Sequence, residues 1–412
     1  MIDGLFWFFY FLGTRIYFIG IRILATIGHQ GAWQRYKGSK SPVVILNETS
    51  PRKDVIWIHC ASAGEFELII PVIQQIKKQH PSFYLLVSFF SSSGYQYAMK
   101  KPISLVDAVC FLPDDSPWNA CRWIKNWNPK LAIFAKHDYW GFYLKALKKN
   151  LVPTFLISAT FSKKHKHWDV LYKYIFKNFN KIMVQDKFSL NLCENWKIPS
   201  VLTGDTRFDR VVQRYQEVHL KMNRSSKNSK ESFPVCILGS IWPGDLKILH
   251  DVIIKYALDA IWLICPHKPD LKEMDSYYRK MGAIRIEDNS FHNITKPGIY
   301  IIQQIGVLFE LYSRAHFAFI GGGYGKGVHN ILEAAVWGIP VSSGFRIQNF
   351  PIYKDLVTAG LLNIIHNKEE FENFYRKNLK YSHEEFLKNS QKFFLQHYGA
   401  SVKVFEEIKH YM

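Results

Sequence analysis

Closely spaced cysteines are absent from this sequence of 412 residues. Its six cysteines lie far apart and form no C-x-x-C pair, so neither a disulfide scaffold nor a cysteine-ligated metal centre is indicated. Acidic residues are also scarce, with 34 Asp and Glu against 53 Lys and Arg, a formal net charge of +19. This excess of positive charge indicates an anionic partner and leaves nucleic acid, an acidic membrane surface and a phosphorylated substrate open.

Low-complexity segments and repeats of fixed period are missing too, whereas apolar material is plentiful. Hydrophobic residues make up 48% of the chain and aromatic residues 16%. This composition excludes disordered and fibrous proteins. Because the chain is longer than one hydrophobic core normally serves, we expect two domains of about 200 residues each.

The N-terminal segment differs in composition from the rest. Residues from Leu5 to Ile27 are apolar and aromatic except for Arg15 and Arg22, which a helix places on one face. Neither a basic start nor a cleavage site of small residues marks a signal peptide. We predict a membrane-anchoring helix over residues 1–30, with both guanidinium groups directed toward lipid headgroups. A spanning helix and a buried core helix are the alternatives.

From residue 55 onward, short β-branched or aromatic runs alternate with amphipathic stretches of helical length, which is typical of parallel β-α units. The alternation restarts after the polar stretch 224–232. We therefore predict two doubly wound α/β domains, 31–222 and 234–412, joined by a linker at 223–233. The predicted strands are Val55–Cys60, Phe83–Phe89, Ala108–Leu112, Leu131–Ala135, Thr154–Ser158, Ile182–Gln185, Val201–Thr203, Val235–Ser240, Ile261–Cys265, Ile299–Gln303, Phe317–Ile320 and Pro340–Ser343.

Two polar motifs follow predicted strands of the first domain. The motif 59–65 (HCASAGE) opens a helix at the sheet edge where ligands bind in doubly wound folds, and Glu65 there is placed to act as a base. The spacing of Ser62 and Glu65 also fits a helix capping box. Further on, Lys136 and Asp138 follow another strand. An N-cap role for Asp138 among solvated charges explains that pattern equally well.

The most distinctive motif is 321–335 (GGGYGKGVHNILEAA), with five glycines in seven positions between a strand and a predicted helix. Amides exposed at a helix start bind phosphate, and Glu333 is placed to accept hydrogen bonds from ribose hydroxyls. Since Lys326 is followed by Gly327, the motif is not an ATPase P-loop. A flexible glycine loop before a core helix is the alternative.

Weaker candidates follow two other strands of the second domain. His267 and Lys268 lie after the strand Ile261–Cys265, where basic groups can meet a phosphate. Ser240 lies in a turn that precedes a predicted helix. Ordinary turns explain both patterns as well.

Taken together, these motifs resemble the bacterial 3-deoxy-D-manno-octulosonic acid (Kdo) transferases, inverting glycosyltransferases of the lipopolysaccharide inner core. The family's Ser-x-Gly-Glu element is found at 62–65, its Gly-Asn-x-Lys-Phe-Asp element in altered form at 204–209, and its Gly-Gly…Gly-x-His-Asn-x-x-Glu element at 321–333. The resemblance implies the GT-B fold, in which two Rossmann-like domains face a cleft.

The resemblance further implies transfer of Kdo from CMP-Kdo to a lipid A precursor, lipid IVA, on the cytoplasmic face of the inner membrane, with no metal ion or other cofactor. Glu65 would be the general base and Asp138 a second catalytic residue. Ser62, Gly64 and Lys136 would bind the acceptor. CMP would be bound by Ser240, His267, Lys268, Gly321, Gly322, Gly323, Gly325, Gly327, Asn330 and Glu333.

The chain departs from the family pattern at two of these positions. Asp138 replaces the usual glutamate and is one methylene shorter, and Pro266-His267-Lys268 replaces a Pro-Arg-His element. Another nucleotide-sugar transferase or an epimerase of the same fold is the nearest alternative. A membrane-attached nucleic-acid-binding protein is the distant one, and we predict no nucleic acid partner because basic residues are spread through both halves.

Overall fold

The computed structural model describes residues 2–41, 43–47, 54–100, 104–162, 169–224, 233–269, 271–325, 327–328, 330–347, 350, 352–379 and 383–412. The chain forms two compact units. The first unit comprises Met1–Arg210 together with His397–Met412, and the second comprises Val211–Gln396.

The first unit is built on an eight-stranded sheet of order β1-β4-β3-β2-β5-β6-β7-β8. All neighbouring strands run parallel except β1, which pairs antiparallel with β4. The strands are β1 (Val44–Ile45), β2 (Val55–Cys60), β3 (Tyr84–Phe89), β4 (Ala108–Phe111), β5 (Leu131–Ala135), β6 (Thr154–Ala159), β7 (Lys181–Val184) and β8 (Ser200–Leu202).

Helices cover both faces of this sheet, so that every residue of β2 to β6 is buried. Two hydrophobic clusters result, one containing Trp57 and Phe134 and the other Ile58 and Ile133. The helices are α1 (Ile2–Thr26), α2 (Gln30–Gly38), α3 (Ala63–Gln79), α4 (Ser92–Lys100), α5 (Pro117–Trp127), α6 (Gly141–Lys149), α7 (Asp169–Phe176), α8 (Lys187–Asn195) and α9 (Arg207–Arg224), the last of which continues into the second unit.

The second unit contains a seven-stranded parallel sheet of order β11-β12-β10-β9-β13-β14-β15. Its strands are β9 (Val235–Ile241), β10 (Ile261–Pro266), β11 (Ile284–Ile286), β12 (Gly298–Ile302), β13 (Phe317–Ile320), β14 (Val341–Gly344) and β15 (Leu362–Ile365). Its helices are α10 (Pro243–Lys255), α11 (Asp275–Lys280), α12 (Leu308–Leu311), α13 (Leu332–Ala335), α14 (Tyr353–Thr358), α15 (Lys368–Asn378) and α16 (His383–His397).

All twelve predicted strands are present, with ends that match or shift by one residue, and the predicted class of two doubly wound α/β units is confirmed. Three further strands, β1, β11 and β15, were not predicted. Each is short and lies at an edge of its sheet. Because an edge strand is only partly covered, polar residues such as Arg285 and Asn363 interrupt the apolar run that makes buried strands recognisable.

Each sheet contains a pair of neighbouring strands from which the chain continues in opposite directions across the sheet, here called the reversal point. In the first sheet the reversal lies between β2 and β5, and in the second between β9 and β13. The carboxyl ends of such strand pairs are where ligands bind in doubly wound folds. The motifs at 59–65 and 136–138 follow β2 and β5, and those at 240 and 321–327 follow β9 and β13. The predicted site residues therefore fall at the two reversal points.

The predicted domain limits are wrong at the C-terminus. Helix α17 (Ala400–Ile408) belongs to the first unit, where Val404 and Phe405 pack into the cluster of Ile58. The division between units also falls inside α9, after Arg210, rather than at 222. Most of the predicted linker, 225–232, lies outside the described residues.

Asp209 explains why the chain end returns to the first unit. Its Oδ2 accepts a hydrogen bond from the Ala400 amide at 3.1 Å, and its Oδ1 accepts from the Gly399 amide at 3.2 Å and the Ser401 hydroxyl at 2.8 Å. A single carboxylate thereby serves the donors at the start of α17. These contacts join residues about 190 positions apart, a pairing that no local pattern reveals.

Helix α1 lies along the first unit by one face only. Trp7 and Phe18 are buried, the Tyr10 hydroxyl donates to Asp115 Oδ2 at 2.7 Å, and Arg15 donates to the Asp115 carbonyl at 2.7 Å. Arg22 pairs with Asp114 at 2.9 Å. The two arginines share a face as predicted, where the Asp114 carboxylate binds Arg22 and the Asp115 carbonyl oxygen binds Arg15. Their direction toward lipid headgroups stays a prediction.

The opposite face of α1 is an exposed apolar stripe with helical spacing, formed by Leu5, Phe8, Phe9, Leu12, Ile16, Ile19, Ile23 and Ile27. By length and composition, Asp3–Thr26 is the one helix of the described residues that could cross a membrane. The predicted N-terminal apolar helix is therefore present.

We expect Asp209→Ala to lower the free energy of unfolding by about 1–3 kcal/mol, because buried donors of α17 lose their acceptor. Urea unfolding followed by tryptophan fluorescence measures the change. Ser401→Ala removes one of the three hydrogen bonds and should cost less. A midpoint of Asp209→Ala equal to that of the unmodified protein would show that the carboxylate does not hold the chain end.

Candidate active site

Glu65 lies where β2 passes into α3, at the reversal point of the first sheet. Its Oε2 accepts a hydrogen bond from the Ala61 amide at 2.5 Å, and the residue is only 8% exposed. Ser62 is the N-cap residue of α3, but its side chain makes no capping hydrogen bond. A capping box requires both contacts at the N-cap residue, so this alternative for the Ser62 and Glu65 pattern is not realised.

The surroundings of Glu65 favour its protonated form. Burial and, second, the nearby Asp138 carboxylate raise the pKa of Glu65 from 4.5 to about 8, against the opposing effects of the Ala61 amide and Lys136. A carboxyl group that releases its proton near neutral pH is suited to general acid–base chemistry. The structure thus gives Glu65 the environment of a base, while the catalytic role itself stays a prediction.

Asp138 faces the same edge from the end of β5. Its Oδ2 lies 2.7 Å from Nε2 of His59, a residue that is fully buried within β2. Helix α6 begins at Gly141 with Trp140 as its N-cap. The alternative reading of Asp138 as a helix N-cap is therefore wrong.

Lys136 completes the polar edge of the first unit. Its φ of 56° is unusual for a residue with a side chain, and Ser158, near the end of the neighbouring strand β6, has a φ of 49°. Such backbone strain gathers at functional sites. Burial and, second, the charge of Arg207 lower the pKa of Lys136, whereas Asp205 and Glu65 act in the opposite direction.

The element 204–209 supports this edge. Thr206 donates to the carbonyl oxygen of Leu68 in α3 at 2.6 Å, and Arg207 donates to Asp205 Oδ2 at 2.7 Å. Together with the role of Asp209 at α17, these contacts make the element structural, and Arg207 brings a positive charge toward Lys136.

In the second unit, the glycine motif folds into tight turns over 321–325. A Cβ atom on Gly321 would lie 2.5 Å from the Ser240 carbonyl oxygen, and one on Gly323 would lie 2.5 Å from the Gly344 amide nitrogen. Gly322 adopts a φ of +93°. The first three glycines are therefore required for close packing of the turn, whereas Gly325 and Gly327 face open space.

Several amides of this motif are hydrogen-bonded within the turn rather than exposed as we predicted. The Gly321 amide donates to the Gly239 carbonyl at 2.8 Å, and the amides of Gly325 and Gly327 donate to the Gly322 carbonyl. The following helix, α13, is only four residues long and begins at Leu332. Phosphate binding by the motif stays a prediction.

Asp245, which had no predicted role, holds the glycine turn. Its Oδ2 accepts from the amides of Gly322 and Trp242, each at 2.8 Å. Burial raises the pKa of Asp245 to about 6 against these hydrogen bonds. Its position in the first turn of α10, after Pro243-Gly244, is the signal that sequence reasoning overlooked.

The other predicted donor residues surround the same reversal point. Ser240 is buried, and its φ of 55° is as unusual as that of Lys136 in the first unit. The His267 ring stacks on Trp242 with centroids 4.5 Å apart. Lys268 follows His267 in the turn after β10.

Two residues before and within α13 differ in their contacts. The Oδ1 atom of Asn330 is buried and has no hydrogen-bond partner among the described residues, so it can accept from a ligand. Glu333 instead pairs with Arg214 at 3.0 Å, and that guanidinium lies over the Phe309 ring at 4.1 Å. A ribose contact by Glu333 would have to share its carboxylate with Arg214.

In the described part of the chain, no cluster of three or more His, Cys, Asp or Glu side chains is arranged to hold a metal ion. The prediction of a metal-independent site is not tested by this observation.

Comparison with known proteins supports the resemblance. Residues 31–210 match the family model described as 3-deoxy-D-manno-octulosonic-acid transferase. The chain is also 26% identical to the Kdo transferase of Rickettsia bellii, over 98% of this chain and 97% of that protein, and 24% identical to that of Aquifex aeolicus, over 71% and 76%. The resemblance that the motifs predicted is confirmed.

Solved structures of other proteins share the fold of this chain. The UDP-GlcNAc 2-epimerase of Neisseria meningitidis is similar with a TM-score of 0.61 at 15% identity, over 86% of this chain and 99% of that one. MurG of Acinetobacter baumannii follows with a TM-score of 0.52 at 11% identity, over 86% and 99%. Both likenesses concern the fold alone, and the predicted GT-B type is confirmed.

The raised pKa of Glu65 predicts a pH-dependent stability. Because the folded-state pKa of about 8 exceeds the ordinary 4.5, folding opposes ionisation, and the protein loses stability as the pH rises through this range. We expect Glu65→Gln to unfold at a higher temperature than the unmodified protein at pH 9, and at nearly the same temperature at pH 5. Calorimetry at both pH values measures this difference.

Glu67→Gln is the matched control, since it removes the same charge from the same helix but breaks the ion pair with Arg210 at 2.5 Å. It should not raise the unfolding temperature at pH 9. Equal unfolding temperatures of Glu65→Gln and the unmodified protein at pH 9 would refute the raised pKa.

The contacts of Asp245 predict a local effect on the glycine turn. Asp245→Ala removes the acceptor of the Gly322 amide, which should exchange with solvent roughly tenfold faster or more, as expected for a lost hydrogen bond to a charged group. Hydrogen exchange read by mass spectrometry over 320–325 measures this. Asp245→Asn keeps one acceptor oxygen and should show a smaller increase. Unchanged exchange in Asp245→Ala would mean that packing alone holds the turn.

Proposed function

We propose that this protein transfers Kdo from CMP-Kdo to a lipid A precursor, with Glu65 as the general base. The observation that carries the proposal is the buried Glu65 carboxyl group, with a pKa of about 8, at the reversal point of a unit whose residues 31–210 match the Kdo transferase family model. The relatives in Rickettsia bellii and Aquifex aeolicus are named Kdo transferases, which supports the same sugar here.

The proposed reaction uses the ionised form of Glu65. A hydroxyl oxygen of the acceptor bonds to the anomeric carbon of Kdo while its proton passes to the Glu65 carboxylate. The bond between that carbon and the phosphate oxygen breaks, and CMP leaves with the electron pair. Attack opposite the leaving group inverts the configuration. Because Glu65 must first lose its own proton, turnover should rise with pH up to about 8.

The residues around Glu65 suit an anionic acceptor. We assign Lys136, Ser62 and Gly64 to acceptor binding, because Lys136 is close enough to Glu65 to favour its ionisation and Arg207 adds positive charge. Ser62 keeps its hydroxyl out of helix capping. A Cβ atom on Gly64 would meet only the Ser62 hydroxyl oxygen, at 3.9 Å, so there is room beside the first turn of α3.

We assign the CMP moiety to the reversal point of the second unit. The unpartnered Oδ1 of Asn330 suits a ribose hydroxyl or an amino group. Lys268 and His267 supply positive charge and a ring at the turn after β10. Since these side chains can neutralise the leaving phosphate, the proposal assigns no step to a metal ion.

The acceptor is a lipid, and we propose that α1 holds the protein at an anionic membrane surface, the cytoplasmic face of the inner membrane. The outward stripe of α1 offers apolar side chains to lipid. Beside it, Arg22, Lys40 and Arg122 line a pocket of about 430 Å³, where Asp114 is the one acid among the lining residues. Basic side chains next to an apolar stripe favour anionic headgroups.

The test is release of CMP from CMP-Kdo in the presence of a lipid A precursor in detergent. We expect turnover by the unmodified protein, a loss of about 100-fold or more in Glu65→Gln, as for a removed general base, and little change in Glu67→Gln. Addition of EDTA should leave turnover unchanged.

The outcomes separate the parts of the proposal. Absence of turnover with CMP-Kdo, together with turnover of UDP-GlcNAc, would replace the donor by that of another nucleotide-sugar enzyme. Full activity of Glu65→Gln would overturn the assigned base and leave the donor in place. Loss of turnover in EDTA that is restored by a divalent cation would contradict the metal-free mechanism.

A further inference from the structure

A chain of polar side chains runs through the apolar core of the first unit and ends at the candidate active site. The indole nitrogen Nε1 of Trp57 lies 2.8 Å from Ser88 Oγ, which lies 2.8 Å from His59 Nδ1. On the other side of the ring, His59 Nε2 lies 2.7 Å from Asp138 Oδ2. Trp57, Ser88 and His59 are fully buried. Buried polar groups of this kind must satisfy one another because water does not reach them.

The direction of the hydrogen bonds follows from the chemistry of the end group. An indole N–H only donates, so Ser88 Oγ accepts from Trp57. The Ser88 hydroxyl proton is then available for His59 Nδ1 at 2.8 Å, since its other acceptor, the Ile58 carbonyl, is 3.5 Å away. With Nδ1 as an acceptor, the neutral imidazole carries its proton on Nε2, which donates to the Asp138 carboxylate.

The opposite tautomer fits less well. It would place a bare Nε2 lone pair 2.7 Å from a carboxylate oxygen, a repulsive contact. The indole of Trp140, whose Nε1 lies 3.2 Å from the same Nε2, is the group that would favour it. Two indoles therefore bias the ring in opposite directions, and the contact between His59 and Asp138 is the shorter of the two at Nε2.

We propose that His59 is a positioning residue, held by Trp57 and Ser88 as the tautomer with a proton on Nε2, and that it fixes the Asp138 carboxylate near Glu65. Asp138 Oδ2 has no other side-chain partner of this kind among the described residues. The charged or titratable groups that interact with Asp138 are Glu65, Arg35, Cys60, Tyr10, Tyr17 and Tyr139. Loss of the contact would free Asp138 to move away from Glu65.

This inference deepens the proposed function and rests on it only for the catalytic readout. The nitrogen shifts of histidine side chains, recorded on ¹⁵N-labelled full-length protein, report which nitrogen of His59 holds the proton, and the signal missing in His59→Gln identifies the ring. We expect a protonated Nε2 and an unprotonated Nδ1. A proton on Nδ1 alone would overturn the proposal without any activity measurement.

Two indole variants test the direction of the chain. Trp57→Phe removes the donor to Ser88 and should shift the ring toward a mixture of both tautomers. Trp123→Phe is the matched control, because Trp123 is also buried and packs on Trp57, but its Nε1 has no hydrogen-bond partner among the described residues. The control should keep the tautomer of the unmodified protein. An unchanged tautomer in Trp57→Phe would overturn the role of that indole.

Two His59 variants test the effect on Glu65. His59→Gln can place an amide N–H near the position of Nε2, whereas His59→Asn is too short to reach Asp138. In His59→Asn we expect the pKa of Glu65, followed by ¹³C carboxyl shifts, to fall toward its ordinary value, and kcat to fall roughly tenfold to a hundredfold with little change in KM, as for a lost hydrogen bond to a charged group. His59→Gln should restore most of both.

A Glu65 titration that is the same in His59→Asn and in the unmodified protein would overturn the inference. Lack of turnover by the unmodified protein would contradict the proposed function instead, while the tautomer and the Glu65 titration would still decide the role of His59.

Discussion

The first unit depends on one constraint, the burial of the Glu65 carboxyl group at the point where the strand order of its sheet reverses. The strands on both sides of this point are fully buried beneath helices. Glu65 consequently sits in an environment that opposes its charge, next to a second carboxylate. The strained backbone of Lys136 and the buried hydrogen-bond chain behind Asp138 occur at the same edge because that edge must hold charged groups in fixed positions.

The second unit uses the same topology with different chemistry. At its reversal point a glycine turn takes the place of the pair of carboxylates found in the first unit. The buried carboxylate of Asp245 accepts hydrogen bonds from the amides of Trp242 and Gly322 at that turn. Glycines that seem suited to a ligand are thus needed first for the approach of one backbone to another. The buried Oδ1 atom of Asn330, in contrast, has no hydrogen-bond partner among the described residues.

The two ends of the chain both pack on the first unit. Helix α1 is bound through Tyr10 and two arginines, and α17 through Asp209. Tyr10, Arg15 and Arg22 of α1 contact residues 114 and 115, and the apolar stripe of α1 faces outward. In the family element 204–209, Asp209 attaches the C-terminal helix.

The sequence by itself determined the two parallel sheets, the positions of their buried strands and the edge at which the polar motifs lie. It could do so because buried parallel strands are continuous apolar runs, and residues that follow them must gather at one edge. Only the tertiary structure decided which neighbours those motifs meet. The partners of Glu65, Asp245 and His59 come from other strands, turns and helices. Whether a carboxylate caps a helix, accepts hydrogen bonds from a turn or has a raised pKa depends on residues that folding brings together. The spacing of residues along the chain does not show which residues these are.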